Sequence, residues 1–512
     1  MATMVKSFSI QGIDGYPVDI ETTTINGQPI ISIIGLGDQA VKEAGERIEA
    51  SLIFSGYEIP KQKIIISLAP GDRKKKGSHF DLAMAIGLLQ QSAQIKAKNL
   101  MDYGFLGELS LNGVLRPCSG VLPMVIAAKQ TGIRQLIVPL SNVAEAQLVQ
   151  GVTVYGLNDL KQVVQFLEGK SIVTPGDPNN NVKDSMSEAS VDFRDVKGQN
   201  LLIESIVMAA AGGHNMLMIG EPGCGKSMIA KRIPTILPKM TEEEALEVTK
   251  LYSISGLLKS DQSLILQRPF RAPHHNASLN ALIGGGNLAT PGEVSLAHNG
   301  VLFLDELAEF SRRTLDALRQ PLEDKRVTIS RVNGTNIYPA NFMFIAAMNP
   351  CPCGYHGTAK CRCTDYEIIK YRSKVSGPIM DRIGIQKQVH SVDFFELSEH
   401  SSAPSSDELR ERVESARRIQ QLRYQGMEGV NCNAQITSAL IHEHCTLEQD
   451  SSDLLRNAYE KYGYSARTIH GLLRLARTSA DLEESVKIRK KDIAAVLLCR
   501  DLDKSSHQMT AI

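Results

Sequence analysis

The 512-residue sequence has no excess of charge of either sign, 56 Lys and Arg balancing 56 Asp and Glu. Net charge therefore neither supports nor excludes a nucleic-acid partner, and any such contact has to come from local patches. No apolar run approaches the length of a membrane span, so no membrane partner is expected. Met1 to Gly12 lack the hydrophobic stretch of a secretory signal. An even cysteine framework is missing too. The nine cysteines are odd in number, and four sit in one tight cluster. That argues for a reducing cytoplasm and a metal site over disulfides. What remains is an ordinary globular composition, 43% hydrophobic, with length for about two to four domains.

The chain is organised around Gly220-Glu221-Pro222-Gly223-Cys224-Gly225-Lys226-Ser227. This fits G-x-x-x-x-G-K-[ST], a phosphate-binding loop. The apolar run Asn215 to Ile219 before it reads as a buried strand, and Ser227 to Ile233 after it as a helix. Glycines let the backbone wrap a phosphate with several N–H groups pointing inward, and the helix N-terminus adds positive potential. Lys226 suits the β/γ-phosphates of ATP and Ser227 suits Mg²⁺. About 80 residues on, Val301-Leu302-Phe303-Leu304-Asp305-Glu306 reads as a buried strand ending in two carboxylates. Asp305 suits an indirect, water-mediated Mg²⁺ ligand and Glu306 a base that orients an attacking water. Asn341 to Met348 is another buried strand. Asn349 at its end suits a hydrogen bond to that water or to the γ-phosphate, the plainer alternative being a turn asparagine before Pro350.

Residues 1–170 read as a compact α+β unit. Strands are expected at Val5–Ile10, Val18–Thr24, Ile30–Ile34, Lys63–Leu68, Leu109–Arg116 and Gln135–Pro139, and helices at Asp38–Ser55, Asp81–Gln90 and Leu122–Gln130. Leu68 to Leu82 and Gly107 to Pro117 together resemble the Lon-protease-type domain. That family uses a Ser–Lys dyad, but His79 stands at the serine's place and Leu122 at the lysine's, so no proteolysis is expected. The run Arg73-Lys74-Lys75-Lys76 suits phosphate contact or simply a solvated loop. Residues 171–190, with Pro175, Gly176 and Pro178, read as a flexible linker. Residues 191–395 form the nucleotide-binding core, within which Asp195 to Gln199 could lie against the adenine. Helices from Ser405 onward, the first capped by Ser406 or Asp407, form a lid over 396–512.

Between the two nucleotide motifs stand Pro273-His274-His275, Gly284-Gly285-Gly286 and Pro291-Gly292-Glu293. The glycines suggest a mobile loop. A His-His pair is a weak metal signal, because neighbours on a regular element point apart. Ser311 to Leu322 reads as a helix, and Arg326–Arg331 with Thr335–Pro339 as a hairpin turning at Asn333-Gly334. Cys351, Cys353, Cys361 and Cys363 make two close pairs within an insertion at 351–363. Four thiolates suit a closed, structural Zn²⁺ site, although C-x-C is tighter than the usual C-x₂-C, and His356 could replace one of them. Cys118, Cys432, Cys445 and Cys499 read as packing residues.

The order of these motifs, ending in Asn349-Pro350-Cys351-Pro352-Cys353-Gly354, resembles the YifB/ComM family of magnesium-chelatase-like AAA+ ATPases over nearly the whole chain. The resemblance implies an α/β fold: a P-loop AAA+ core with a parallel sheet, the N-terminal Lon-like α+β domain and the C-terminal helical lid. It implies ATP hydrolysis with Mg²⁺ and a homo-oligomeric, hexameric ring. It also implies a DNA helicase driving branch migration of recombination intermediates in natural transformation. By the same resemblance, Arg382 in Ser376-Gly377-Pro378-Ile379-Met380-Asp381-Arg382 is the arginine finger given to a neighbouring subunit. Arg467 in Ser465-Ala466-Arg467 is the lid's sensor arginine, contacting nucleotide in its own subunit. The hairpin and the loop around His274–Gly286 would face a ring pore. The alternatives are a chelatase- or MoxR-like remodeller of a protein client, and a nucleotide-gated scaffold, against which Glu306 and Arg382 argue.

Overall fold

The structure, a computed structural model, describes residues 2–97, 99–176, 191–259, 264–286, 289–331, 334–391, 403–427 and 429–502. Most of the expected linker and the hairpin residue Asn333 lie outside the described residues. The chain forms two compact units that interleave in sequence. One gathers residues 1–186, 242–265 and 328–338; the other gathers 187–241, 266–327 and 339–512. Two segments from within the span of the nucleotide-binding core thus pack with the N-terminal residues.

In the first unit, strands Thr3–Gln11 and Asp14–Ile25 pair antiparallel around a tight turn. Among the described residues they sit inside a seven-stranded sheet. Its order is Ile31–Ile34, Lys63–Ala69, Asp14–Ile25, Thr3–Gln11, Tyr103–Phe105, Gln135–Pro139, Thr153–Leu157. Alternation places Val18 and Ile20 in the core. The helix Asp81–Gln91 is apolar nearly all round and is correspondingly buried along most of its length. The expected single helix over Asp38–Ser55 is two, Gln39–Lys42 and Ala44–Phe54, meeting at Glu43. The expected strand Leu109–Arg116 folds back on itself. Glu108–Leu109 pairs with Leu115–Arg116, because Gly113 takes a left-handed φ of 79° and turns the chain.

The helix Glu242–Ile254 belongs to this unit. The buried Glu145 explains part of its seat: its carboxylate accepts from the Leu122 N–H at 2.8 Å and from the Ser253 hydroxyl. The Gly120 N–H donates to the Ser253 carbonyl at 3.0 Å. His79 and Leu122, at the places of the dyad, are both buried. His79 Nε2 lies 2.9 Å from the Phe8 carbonyl, so that nitrogen carries the proton and donates. Of the basic run, Lys75 is buried and bonds the Pro70 carbonyl, and Arg73 lies over the Tyr16 ring at 5.0 Å. Lys75 and Arg73 are thereby engaged within the unit.

The second unit is built on five parallel strands, in the order Phe270–Arg271, Val301–Leu304, Met343–Met348, Met216–Gly220, Ile385–Val389 among the described residues. The three central ones are buried on both faces, which explains their uninterrupted apolar sequences. The helix Asn200–Gly212 carries Ala209, Ala210 and Ala211. It shares one hydrophobic core with Leu409, Val413 and Ala416 of Ser406–Arg423 and with Leu472, Leu475 and Ala476 of Ala466–Leu482. Ser405, one residue before the expected caps, closes the first of these with Glu408 in a capping box. The expected helix Ser311–Leu322 is broken into Arg312–Ala317 and Arg319–Asp324. Pro321 has no N–H to continue the first helix and fits the opening turn of the second.

Burial pushes the His79 imidazole down to about 4 from the roughly 6.5 of an unfolded chain. Between those values the unfolded chain binds a proton that the native one refuses. Stability present above pH 6.5 is therefore lost as pH falls, by about 1.4 kcal/mol per unit. Compared with His79→Gln, which retains a donor for Phe8, the wild-type chain should lose about that much more stability per unit between pH 6 and 5 in urea unfolding.

Candidate functional site

The parallel register brings the sequence motifs to one edge. Ile219 pairs with Met348 and Leu304 with Ala346, so the phosphate loop, Asn349 and the Asp305–Glu306 pair all follow the C-terminal ends of adjacent strands. The loop turns through Gly223 and Gly225, whose φ values of 82° and 86° are open to glycine and strained for other residues. Lys226 starts the helix Lys226–Ile236. Its ammonium donates to the Gly220 carbonyl at 2.7 Å and the Glu221 carbonyl at 2.9 Å, with Asn349 Oδ1 at 3.4 Å. Cys224 turns its sulfur inward, 3.7 Å from the same nitrogen. Ser227 Oγ donates to Asp305 Oδ2 at 2.5 Å. A hydroxyl and a carboxylate oxygen at the head of a helix are the hard oxygen donors that Mg²⁺ takes, leaving room for waters and phosphate.

Glu306 stands apart from Asp305 in conformation. It has a left-handed φ of 51°, uncommon for a residue with a side chain and costing about 1–3 kcal/mol. Its N–H donates to Asp305 Oδ1 at 2.9 Å. Its half-exposed carboxylate meets His275 Nδ1 at 2.9 Å. This contact was not legible in the sequence, where 30 intervening residues carry no periodic signal. His274 and His275 sit in a turn instead of a regular element, and their rings lie 4.1 Å apart. The neighbouring glycines form a small ribbon, Gly284–Gly285 pairing with Thr290–Pro291. Glu293 after it holds Arg271 through two bonds of 2.6 and 2.7 Å. Asp195 lies against Arg232 of the phosphate-loop helix at 2.5 Å, and Gln199 donates to the His390 carbonyl at 2.6 Å.

The two arginines meet at one carboxylate. Arg382 pairs with Glu323 and donates to the Pro378 carbonyl, and Arg467 reaches Glu323 at 3.5 Å. Arg382 foremost holds the Glu323 carboxyl below its usual range. Residues that the resemblance assigned to different subunits' nucleotides thus share a partner.

The four clustered cysteines converge. Their sulfurs lie within 4.8 Å of one another, with Cys351–Cys353 at 3.3 Å, Cys351–Cys361 at 3.9 Å and Cys353–Cys361 at 3.8 Å. A tetrahedral Zn²⁺ with arms of about 2.3 Å has S–S edges of about 3.8 Å. The donor set therefore fits zinc, and all four thiols are free.

Among the described residues no helix is long and apolar enough to cross a membrane. Three family models match in succession: subunit ChlI of Mg-chelatase over residues 20–142, magnesium chelatase subunit ChlI over 192–397, and its C-terminal part over 403–500. The chain is 40% identical to the uncharacterized protein YifB of Salmonella typhimurium, over 98% of this chain and 97% of that protein. It is 38% identical to the competence protein ComM of Haemophilus influenzae, over 96% of each. A shorter similarity, 31% over 19% of this chain and 17% of that protein, links it to Lon protease 2 of Bacillus subtilis. With matches running the full length and a P-loop on a parallel sheet, the chain belongs to the YifB/ComM family of magnesium-chelatase-like AAA+ proteins.

Proposed function

We propose that this protein is an ATP-driven, ring-forming motor acting on DNA, a branch-migration helicase of recombination intermediates. The observation that carries the ATPase reading is the convergence of Lys226, Ser227, Asp305, Glu306 and Asn349 at one edge of the parallel sheet. The loop from Gly220 to Ser227 would cradle ATP, with Lys226 on the β/γ-phosphates. Ser227 directly and Asp305 through water would hold Mg²⁺, which supplies charge neutralisation for the transferred phosphoryl group. Glu306 would orient the attacking water, with Asn349 beside it. His275 is added here as the residue that positions Glu306. Zn²⁺ in the four-cysteine cluster would be structural, since four ligands leave no open position.

Arg382 would be the finger completing a neighbour's site, which makes the ring, a hexamer by family resemblance, part of the chemistry. Arg467 would act as the sensor on its own subunit's nucleotide, and Glu323 is the carboxylate that pairs with both arginines. The domain division of the reading is 1–170, a linker to 190, the core to 395 and the lid to 512. The DNA reading rests on the similarity to a competence protein and on the family resemblance; a cytoplasmic setting fits the odd number of cysteines and the clustering of four of them. A protein client is the alternative outcome of the test.

ATP turnover measured at fixed salt without DNA, and with single strand, duplex and a four-way junction, tests the DNA reading. Stimulation greatest with the junction is expected; ordinary basal turnover unmoved by any DNA transfers the reading to a protein client. Glu306→Gln should lower kcat at least about 100-fold with nucleotide binding retained. Undiminished turnover would remove its assignment. His275→Ala should lower kcat with KM unchanged, while an unaltered kcat would reduce the pair to a surface contact. Arg382→Ala and Lys226→Ala subunits should each be inactive alone and regain part of the turnover on mixing; no recovery would mean that the arginine does not act across an interface.

A further inference from the structure

The cysteine knuckle lies against the phosphate loop. Gly354, whose N–H closes a turn onto the Cys351 carbonyl at 3.0 Å, has a φ of 87°. A Cβ at this position would sit 2.8 Å from both Cγ and Cδ of Pro222, the third residue of the phosphate loop, and 4.0 Å from Asn349 Cγ. Only glycine allows this approach, since a contact under 3 Å forces the ring or the knuckle to move. The chain then runs from the cysteines into the helix Asp365–Arg372, which returns to the same place. Arg372 Nε donates to the Pro350 carbonyl at 3.3 Å, and the Tyr371 hydroxyl faces the Asn349 backbone. Asn349 in turn accepts from Lys226. The segment 350–364 is thus pinned at both ends beside Asn349 and pressed on Pro222. Between these points it has no long element of its own: short turns at Tyr355–Thr358 and Thr358–Cys361 shape it. A metal joining Cys351 and Cys353 to Cys361 and Cys363 is the cross-link that would make such a segment rigid.

We infer that the Cys351–Cys363 knuckle is a metal-dependent clamp on the phosphate loop: a divalent zinc-class ion on the four thiolates holds Gly354 against Pro222 and thereby sets nucleotide affinity. The inference rests on the zinc reading of the cysteines and goes beyond it by giving that metal a control over ATP binding. Loss of the ion releases the cross-link, the Gly354 contact loosens, and the loop and Asn349 lose the wall that holds their shape. Nucleotide affinity falls although no cysteine touches the nucleotide.

The test measures zinc content by mass spectrometry of the purified full chain and the affinity for a fluorescent ATP analogue with Mg²⁺. The wild-type chain is expected to carry about one zinc. The double variant Cys361→Ser, Cys363→Ser should lose zinc and bind the analogue at least about tenfold more weakly. Gly354→Ala separates the contact from folding: it should keep zinc and show a similar loss of affinity. A zinc-free wild-type chain overturns the metal. Zinc present but affinity unchanged in both variants overturns the clamp and leaves a structural site. Weak binding by Gly354→Ala alone overturns the metal's control of the contact. A wild-type chain that carries zinc and binds no ATP analogue counts against the ATPase reading and removes the clamp with it.

Discussion

The parallel pairing of Val301–Leu304, Met343–Met348 and Met216–Gly220 is the constraint on which the rest of the candidate site depends. Parallel strands end on the same edge, so three sequence segments far apart in the chain deliver their next residues to one crevice. The register is what matters. A one-residue slip turns every side chain to the opposite face, and the strand carrying Asp305 would no longer meet Ser227 at hydrogen-bond distance. With all three strands buried on both faces, what resists such a slip is the fit of individual side chains in a close-packed interior.

A buried polar network anchors the helices that follow. Asp481 is almost wholly enclosed and takes bonds from Arg423 at 2.5 and 2.8 Å, from Arg477 at 3.1 Å and from Asn433 at 2.8 Å. Thr478, one turn earlier, receives His214 at 2.8 Å, which ties the helix to a residue two places before the strand Met216–Gly220. Burial, followed by the nearby Arg417 and Arg474, pushes that imidazole down to about 3, so it joins the network neutral. Breaking a buried pair of this kind costs about 3–5 kcal/mol because a charge is stranded. These C-terminal helices are therefore built into the same core as the helix Lys226–Ile236, and Arg467 at the start of Ala466–Leu482 reaches Glu323 from a fixed base.

Much of the second unit was legible in the sequence because its signals are local. Gly223, Gly225 and Lys226 declare a loop that only a few residue types can make. The apolar runs ending at Gly220, Leu304 and Met348 announce buried parallel strands. Where the structure departs from the local pattern, the cause is also local and weaker. Pro321 split a helix that apolar spacing drew as one, and Gly113 folded a strand back on itself. The capping residue was Ser405, one place earlier, because Glu408 completes the reciprocal bonds that Asp407 would need from a different neighbour.

By itself, then, the sequence determined the phosphate loop, the acidic pair, the four-cysteine cluster and the strands that carry them, since each is written in adjacent residues with characteristic spacing. Only the tertiary structure decided that His275 meets Glu306, that Arg382 and Arg467 share Glu323, that Gly354 presses on Pro222, and that residues 242–265 and 328–338 pack with the N-terminal unit. These are contacts between segments with no common period. Nothing in either segment encodes the partner; it is chosen by how the strands register and how the small residues let helices and loops approach.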